Sequence, residues 1–200
     1  MPPNLLNTVI LDRAFPLVVT LSLDAFSFEK LNRLRRDHFP PERNYLPAHV
    51  TLLHALPGGE LPTIRSRLQQ ICAQTAPIHI EFPRVRMLGR GVAIEVRSVD
   101  LQHLHAQLTA CFSAWLTPQD CQRFRPHVTI QNKVLPQLAR ELYDSLAPQW
   151  EMLPGQSSGL LLWEYRGGPW LGIEEFLFTS QLVTVDLIAQ QKSKSGMAGS

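Results

Sequence analysis

The sequence is poor in cysteine, and its three cysteines, Cys72, Cys111 and Cys121, show no Cys-x-x-Cys spacing. An odd number of cysteines without paired spacing argues against a disulfide framework and against a structural zinc site. A reducing compartment fits this usage best. We therefore expect a cytoplasmic protein that holds no metal ion.

Long hydrophobic runs and a strong excess of one charge are also missing. No apolar stretch approaches the roughly 20 residues of a membrane-spanning helix, so no membrane association is expected. The N-terminus has no charged segment followed by an apolar one, which predicts that there is no secretory signal. The formal net charge of +2 excludes a polybasic nucleic-acid coat, although it is compatible with a local basic cleft.

The composition that remains is typical of a globular protein. Apolar residues make up 44% of the 200-residue chain and charged residues 18%. This length can bury a full core and fits one domain or two fused lobes. We predict a single bilobal domain over residues 1–180 and a C-terminal extension over 181–200, whose polar end is expected to be disordered.

Hydrophobic periodicity predicts seven strands and four helices in an order that repeats itself. The predicted strands are 15–23, 48–53, 78–82, 92–97, 127–130, 160–165 and 174–179, and the apolar stripes of the helices are 28–34, 61–72, 101–115 and 135–146. An extra strand within 181–189 is also considered. The order predicts a pseudo-duplicated α+β fold in which two antiparallel sheets surround a central cleft and helices cover their outer faces.

The tetrapeptide His-Val-Thr-apolar occurs twice, as His49-Val50-Thr51-Leu52 and as His127-Val128-Thr129-Ile130. In a strand, residues i and i+2 point to the same face, so each copy sets an imidazole beside a hydroxyl. Two imidazoles can supply an acid and a base near neutral pH, and two hydroxyls can hold an oxyanion. This set of groups suits phosphodiester chemistry that uses no metal.

The paired motifs resemble those of the two-histidine (2H) phosphoesterase superfamily, which includes the 2′-5′ RNA ligase and RNA 2′,3′-cyclic phosphodiesterase family. Three further segments are also similar to members of this superfamily. They are Phe124-Arg125-Pro126 before the second motif, the predicted strand Leu162-Trp163-Glu164-Tyr165 and the turn Gly167-Gly168-Pro169. The resemblance implies a bilobal fold whose central cleft is lined by both histidines and both threonines. It implies no cofactor and an RNA end or a small cyclic nucleotide as substrate.

The mechanism that follows is the opening of a 2′,3′-cyclic phosphate by acid–base catalysis, in the context of RNA processing. One of His49 and His127 takes a proton from water, and the other protonates the leaving ribose oxygen. The resemblance favours His49 as acid and His127 as base. Thr51 and Thr129 would hold the non-bridging phosphate oxygens.

Five further residues are candidates for substrate binding. Arg125 lies two residues before His127 and would share its face. Arg43 and Lys133 are weaker phosphate-binding candidates, while Tyr165 and Tyr45 are candidates for stacking on a base. Strict alternation along the first motif strand predicts that His54 faces away from His49.

Three alternatives stay open at this stage. The enzyme could also ligate RNA through 2′-5′ linkages, or the fold could be a non-catalytic RNA- or nucleotide-binding module. A structural protein with motifs that arose by chance is the third reading. A monomer is expected.

Overall fold

The structure is a computed structural model that describes residues 14–180. Residues 1–13, for which the sequence predicts an irregular segment, lie outside the described residues, as do the extension over 181–200 and the extra strand considered within it. The strands and helices are β1 (Leu17–Leu21), α1 (Ala25–His38), β2 (Val50–Leu56), α2 (Leu61–Ala73), β3 (Ile78–Phe82), β4 (Val85–Met87), β5 (Val92–Glu95), α3 (Val99–Cys111), β6 (His127–Gln131), α4 (Pro136–Leu146), β7 (Leu153–Ser157), β8 (Gly159–Tyr165) and β9 (Trp170–Leu177).

The strands form one large sheet and one small sheet. The large sheet has the order β4-β5-β6-β2-β1-β8-β9, and β3 pairs with β7 in the small one. All of these pairs are antiparallel. The predicted class, α+β with two antiparallel sheets, is confirmed.

The two motif strands are neighbours in the large sheet. β2 and β6 pair antiparallel, with Val50 opposite Val128, and neither valine side chain is exposed. The sequence favoured motifs that meet across a gap between two facing lobes. They lie instead on adjacent strands of one sheet. Both valines are buried on the same side of that sheet, and this holds the two strands in register.

A β-bulge interrupts the alternation along β2. Thr51 lies opposite Thr20, whereas the next partner of β1, Val19, lies opposite Leu53. Leu52 is therefore the extra residue, and both leucines are buried. A bulge turns the side chains that follow it to the other face, here that of His54, until the register shifts a second time between Leu53 and Leu56.

Two short strands were not predicted. β4 has only three residues, which is too few to show a period. β7 contains Pro154-Gly155, a pair that is typical of turns. Gly155 is required there, because a Cβ at this position would lie 2.6 Å from the Ser27 hydroxyl and 2.9 Å from the Phe82 ring.

Helix α1 begins directly after Asp24. Asp24 caps it by accepting a hydrogen bond of 3.0 Å from the Ser27 N–H. Its buried residues are Ser27, Leu31 and Arg35, which follow one another at four-residue spacing. Among the helices of residues 14–180, none is sufficiently long and apolar to span a bilayer.

Candidate active site

Both motifs place their polar side chains on one face of the large sheet. Extending the register of Val50 and Val128 by one residue puts His49 beside Thr129 and Thr51 beside His127. All four side chains are half-buried, in contrast to the buried valines between them. Two imidazoles and two hydroxyls therefore form one patch on the sheet surface, with one imidazole and one hydroxyl from each of the two adjacent strands.

Each motif histidine is held in the same way. Nδ1 of His49 lies 2.8 Å from the carbonyl oxygen of Pro47, and Nδ1 of His127 lies 2.9 Å from that of Arg125. A carbonyl oxygen can only accept, so Nδ1 carries the hydrogen in both rings. Nε2 is therefore the free nitrogen of each ring, and it can take up or give up a proton.

Burial makes both rings prefer the neutral form. Burial and, to a smaller extent, the positive charge of Arg35 lower the pKa of His49 to about 4, against the opposing effect of the hydrogen bond to Pro47. Burial also lowers the pKa of His127, with Arg86 and His54 adding to the effect. In the free protein, both imidazoles are neutral at pH 7.

Arg35 is a buried cation beneath the site, and only 5% of its surface is exposed. Its guanidinium donates to the Thr129 carbonyl at 2.7 Å, and to the Leu46 carbonyl and Asn44 Oδ1 at 2.9 Å. Burial lowers its pKa to about 10, so it stays charged at neutral pH. It joins the segment that leads into the first motif to the strand of the second.

The four motif side chains open into a central cavity of about 610 Å³. This volume lies within the usual range for ligand sites. The other charged or polar lining residues are His54, Arg86, His105, Gln119, Asp120, Gln122, Arg123, Arg125 and Asn132.

The prediction for His54 is wrong. It lines the same cavity as His49, because the bulge at Leu52 turns it to that face. Its Nδ1 lies 2.8 Å from Oδ1 of Asp120, a carboxylate whose side chain is 1% exposed. Burial raises the pKa of Asp120, but hydrogen bonds from Thr117 and His54 outweigh this and hold it below its ordinary value.

A smaller, largely apolar cavity of about 340 Å³ lies on the other side of His49. His49 lines both cavities, and Trp170 lines the smaller one, with its ring centroid 5.1 Å from that of His49. Ser22 also lines this cavity, and its hydroxyl oxygen is buried without a hydrogen-bond partner in the described part of the chain. The remaining lining includes Phe28, Leu161, Trp163 and Glu175.

The predicted substrate-binding residues fall in different places. Arg125 lines the central cavity. Tyr165 meets Trp170 edge-on, with a centroid distance of 6.4 Å, and both Tyr165 and Tyr45 are exposed.

Arg43 and Lys133 do not line the cavities found in residues 14–180. Arg43 lies in a 3-10 helix and faces Glu42, while Lys133 is in a turn with φ of 60°. Asn132, its neighbour, occupies the lining position instead.

Sequence reasoning missed Arg35, Arg86, Asp120 and the cleft position of His54. The four-residue spacing of Ser27, Leu31 and Arg35 is a signal that would have indicated an inward-facing arginine. The bulge and the partner Asp120 depend on tertiary structure and leave no comparable pattern.

In residues 14–180, no three His, Cys, Asp or Glu side chains are grouped so that they could hold a metal ion.

Comparison with known protein families gives a direct assignment. Residues 22–169, which include both motifs, match the family model described as the 2′-5′ RNA ligase superfamily. The chain belongs to this superfamily. The resemblance inferred from the paired motifs is thus confirmed. Among curated proteins, none matches the chain.

Solved structures share the fold of this superfamily member. TT0787 of Thermus thermophilus has a TM-score of 0.61 and 17% identity, over 84% of this chain and 100% of that one. E. coli LigT complexed with 3′-AMP has a TM-score of 0.54 and 15% identity, over 83% and 99%. A structure described as a phosphoesterase has a TM-score of 0.52 and 18% identity, over 83% and 99%.

Proposed function

We propose that the protein is a phosphodiesterase that opens 2′,3′-cyclic phosphates on RNA ends or small nucleotides, using His49 and His127 as acid and base and no metal ion. The observation that carries this proposal is the two-by-two arrangement of imidazoles and hydroxyls on adjacent strands. Membership of the 2′-5′ RNA ligase superfamily and the fold of E. coli LigT, solved with 3′-AMP, support it.

The proposed reaction needs two proton transfers on opposite sides of one phosphorus. Nε2 of the base takes a proton from water as the water oxygen bonds to phosphorus. The bond from phosphorus to the ribose 3′ oxygen breaks, and the acid gives its proton to that oxygen. The product is a 2′-phosphate with a free 3′ hydroxyl, and each transfer contributes about 10² to 10⁴ in rate.

The acid must be protonated before the reaction, although both rings are neutral in the free protein. A bound phosphate resolves this, because a nearby negative charge favours the imidazolium form. Thr51 and Thr129 stand beside the rings and would donate to the non-bridging oxygens, where negative charge builds up in the transition state.

The terminal base would occupy the cavity beside Trp170. Its walls are aromatic and aliphatic, and its volume suits one planar ring system. The unpaired Ser22 hydroxyl would bond to a polar atom on the base edge, which removes the cost of leaving it unsatisfied. Tyr45 and Tyr165 remain predicted stacking residues at the rim.

The test is turnover of adenosine 2′,3′-cyclic phosphate, with the position of the product phosphate identified by phosphorus NMR. We expect adenosine 2′-phosphate, in the presence of a chelator as in its absence. The His49→Ala/His127→Ala double variant serves as the blank for contaminating activity. Activity that chelation removes and zinc or manganese restores would overturn the metal-free scheme.

The alternative is a non-catalytic module that binds RNA or nucleotides in the same cleft. It predicts measurable binding of the cyclic nucleotide without any release of product. Ligation of RNA through 2′-5′ linkages would be the same ring opening with the 5′ hydroxyl of a second RNA end in place of water: the bond from phosphorus to the 3′ oxygen breaks, and the phosphate then links the 2′ oxygen to that 5′ oxygen. Supplying both ends at high concentration tests for it.

A further inference from the structure

The central cavity is lined by two histidines that the proposed reaction does not use: His105, which is buried and stacked on Phe124, and His54. His54 follows the bulge in β2, and its side chain is 39% exposed. Its backbone N–H and its Nδ1 both approach Oδ1 of Asp120, at 2.9 and 2.8 Å. One buried carboxylate oxygen therefore holds this residue at two points.

The other oxygen of Asp120 is also occupied. Oδ2 accepts from the Thr117 hydroxyl at 2.6 Å and from the Thr117 N–H at 3.2 Å. With its pKa held low, the carboxylate is ionised and can only accept, so Nδ1 of His54 carries a hydrogen. Nε2 is then the polar atom of the ring that is free for a ligand.

The surroundings of His54 suit an anion. Arg86, Arg123 and Arg125 line the same cavity. None of them belongs to the ion pairs found within residues 14–180. By contrast, their neighbours Arg84 and Arg97 are paired with glutamates at 2.9 and 2.7 Å. Asp120, whose oxygens are already bonded, is the one acidic residue among the lining residues described.

The basic surface continues away from the motif residues. A second cavity of about 800 Å³ adjoins the central one. The two cavities share Arg86, Arg123 and Arg125, and also Phe124 and Pro126. Positive charge along a path that exceeds one nucleotide is the expected footprint of a nucleic-acid backbone.

We propose that His54, held by Asp120, forms with these arginines a second phosphate subsite, which binds the phosphodiester next to the reacting cyclic phosphate. The substrate class is then an RNA end of two or more nucleotides rather than a cyclic mononucleotide. In the complex both ring nitrogens donate, Nδ1 to the Asp120 carboxylate and Nε2 to the phosphate. This inference rests on the proposed function and names its substrate.

A comparison of three substrates distinguishes an effect on phosphate binding at this subsite from an effect on the chemical step. The substrates are adenosine 2′,3′-cyclic phosphate, the dinucleotide ApA ending in a 2′,3′-cyclic phosphate, and the same dinucleotide with an uncharged methylphosphonate linkage. The variants are His54→Ala and Asp120→Asn. His79→Ala is the matched control, since His79 is an exposed histidine on β3.

We expect His54→Ala to lower the ratio of kcat/KM for ApA to that for the mononucleotide by about tenfold to a hundredfold, as for a lost hydrogen bond to a charged group. Asp120→Asn should lower it in the same direction, and His79→Ala should leave it unchanged. The methylphosphonate linkage should reduce the wild-type ratio by at least that factor, because the arginines also lose the charge, and with this substrate His54→Ala should cause little further loss.

A purely structural role for His54 predicts an equal loss for all three substrates, and that result would overturn the proposal. A loss in His54→Ala that stays undiminished with the methylphosphonate would also overturn it. If the wild type turned over none of the substrates, the proposed function would fail separately. The subsite would then be tested by Kd values for adenosine 2′-phosphate and for ApA carrying a 2′-phosphate, in wild type and His54→Ala.

Discussion

The two half-sites share a sequence and a hydrogen bond but have different surroundings. In each, the histidine Nδ1 donates to the carbonyl two residues earlier. His49, however, packs against Trp170 and lies in the field of the buried Arg35, whereas the arginine that acts on His127 is Arg86. The duplication supplies equal groups, and the tertiary contacts make them unequal.

This inequality bears on which ring is acid and which is base. The pKa of His49 is lowered to about 4, so its neutral form is strongly preferred in the free protein. That preference suits a base, whereas the family resemblance assigned His49 the role of acid. The roles can be separated by pH profiles, because a base must be deprotonated and an acid protonated before each turnover.

The largest effect expected is from removing either ring. His49→Ala and His127→Ala should each lower kcat/KM by about 10² to 10⁴, because each loses one proton transfer. Rates across pH 4 to 9 identify the roles: the variant without the base loses the acidic limb, and the variant without the acid loses the alkaline limb. Near-normal activity in either variant would contradict the two-histidine scheme.

The hydroxyls should behave more alike than the rings. Thr51→Val and Thr129→Val keep the β-branched shape and remove one donor, which should cost about 2 to 4 kcal/mol in kcat if each hydroxyl holds a phosphate oxygen. The matched control is Thr109→Val, because that hydroxyl bonds carbonyls of its own helix. A loss in only one of the two motif variants would show that a single hydroxyl faces the transition state.

Substitution of Arg35 tests whether its hydrogen bonds hold the segment before the first motif against the strand of the second motif. Arg35→Met leaves three part-buried acceptors without this donor and should lower the free energy of unfolding by about 2 to 4 kcal/mol. Arg36→Met removes only an exposed ion pair with Glu29 and should change it by about 0.5 kcal/mol or less. Urea denaturation of both variants gives the comparison, and equal losses would contradict the role of Arg35.

The smallest effect concerns stability in acid. Below pH 6.5, His49 gains a proton in the unfolded chain, but in the folded chain it does so only near pH 4. The unfolded state then binds more protons, so folding weakens as pH falls through this window, by about 2 kcal/mol at pH 5. His49→Gln should lose about that much less than wild type between pH 7 and pH 5 in urea denaturation. Parallel losses in both proteins would show that His49 is not held neutral.

Local patterns were enough to predict the class of the fold and the paired motifs. The long helices carry clear apolar stripes, and the motif residues alternate as strand residues do. β4 is too short to show alternation, and β7 contains a Pro-Gly pair that is typical of a turn. Its role as a strand depends on pairing with β3, which no local pattern records.

The site was predictable only where it follows strict alternation. His49, Thr51, His127 and Thr129 fit that rule and lie together as expected from it. His54 does not, because the extra residue Leu52 reverses the strand face, and this bulge depends on the pairing with β1. Arg35 lies among three other charged residues near the end of α1, and only its spacing from Leu31 distinguishes it.

One consequence follows from the pairing of Val50 with Val128. A shift of a single residue between β2 and β6 would turn the imidazoles and hydroxyls of one motif inward and its valine outward. The apolar interior rejects such an arrangement, so the competing alignments are costly. The alignment that completes the core is therefore also the one that brings the polar groups of the two motifs together.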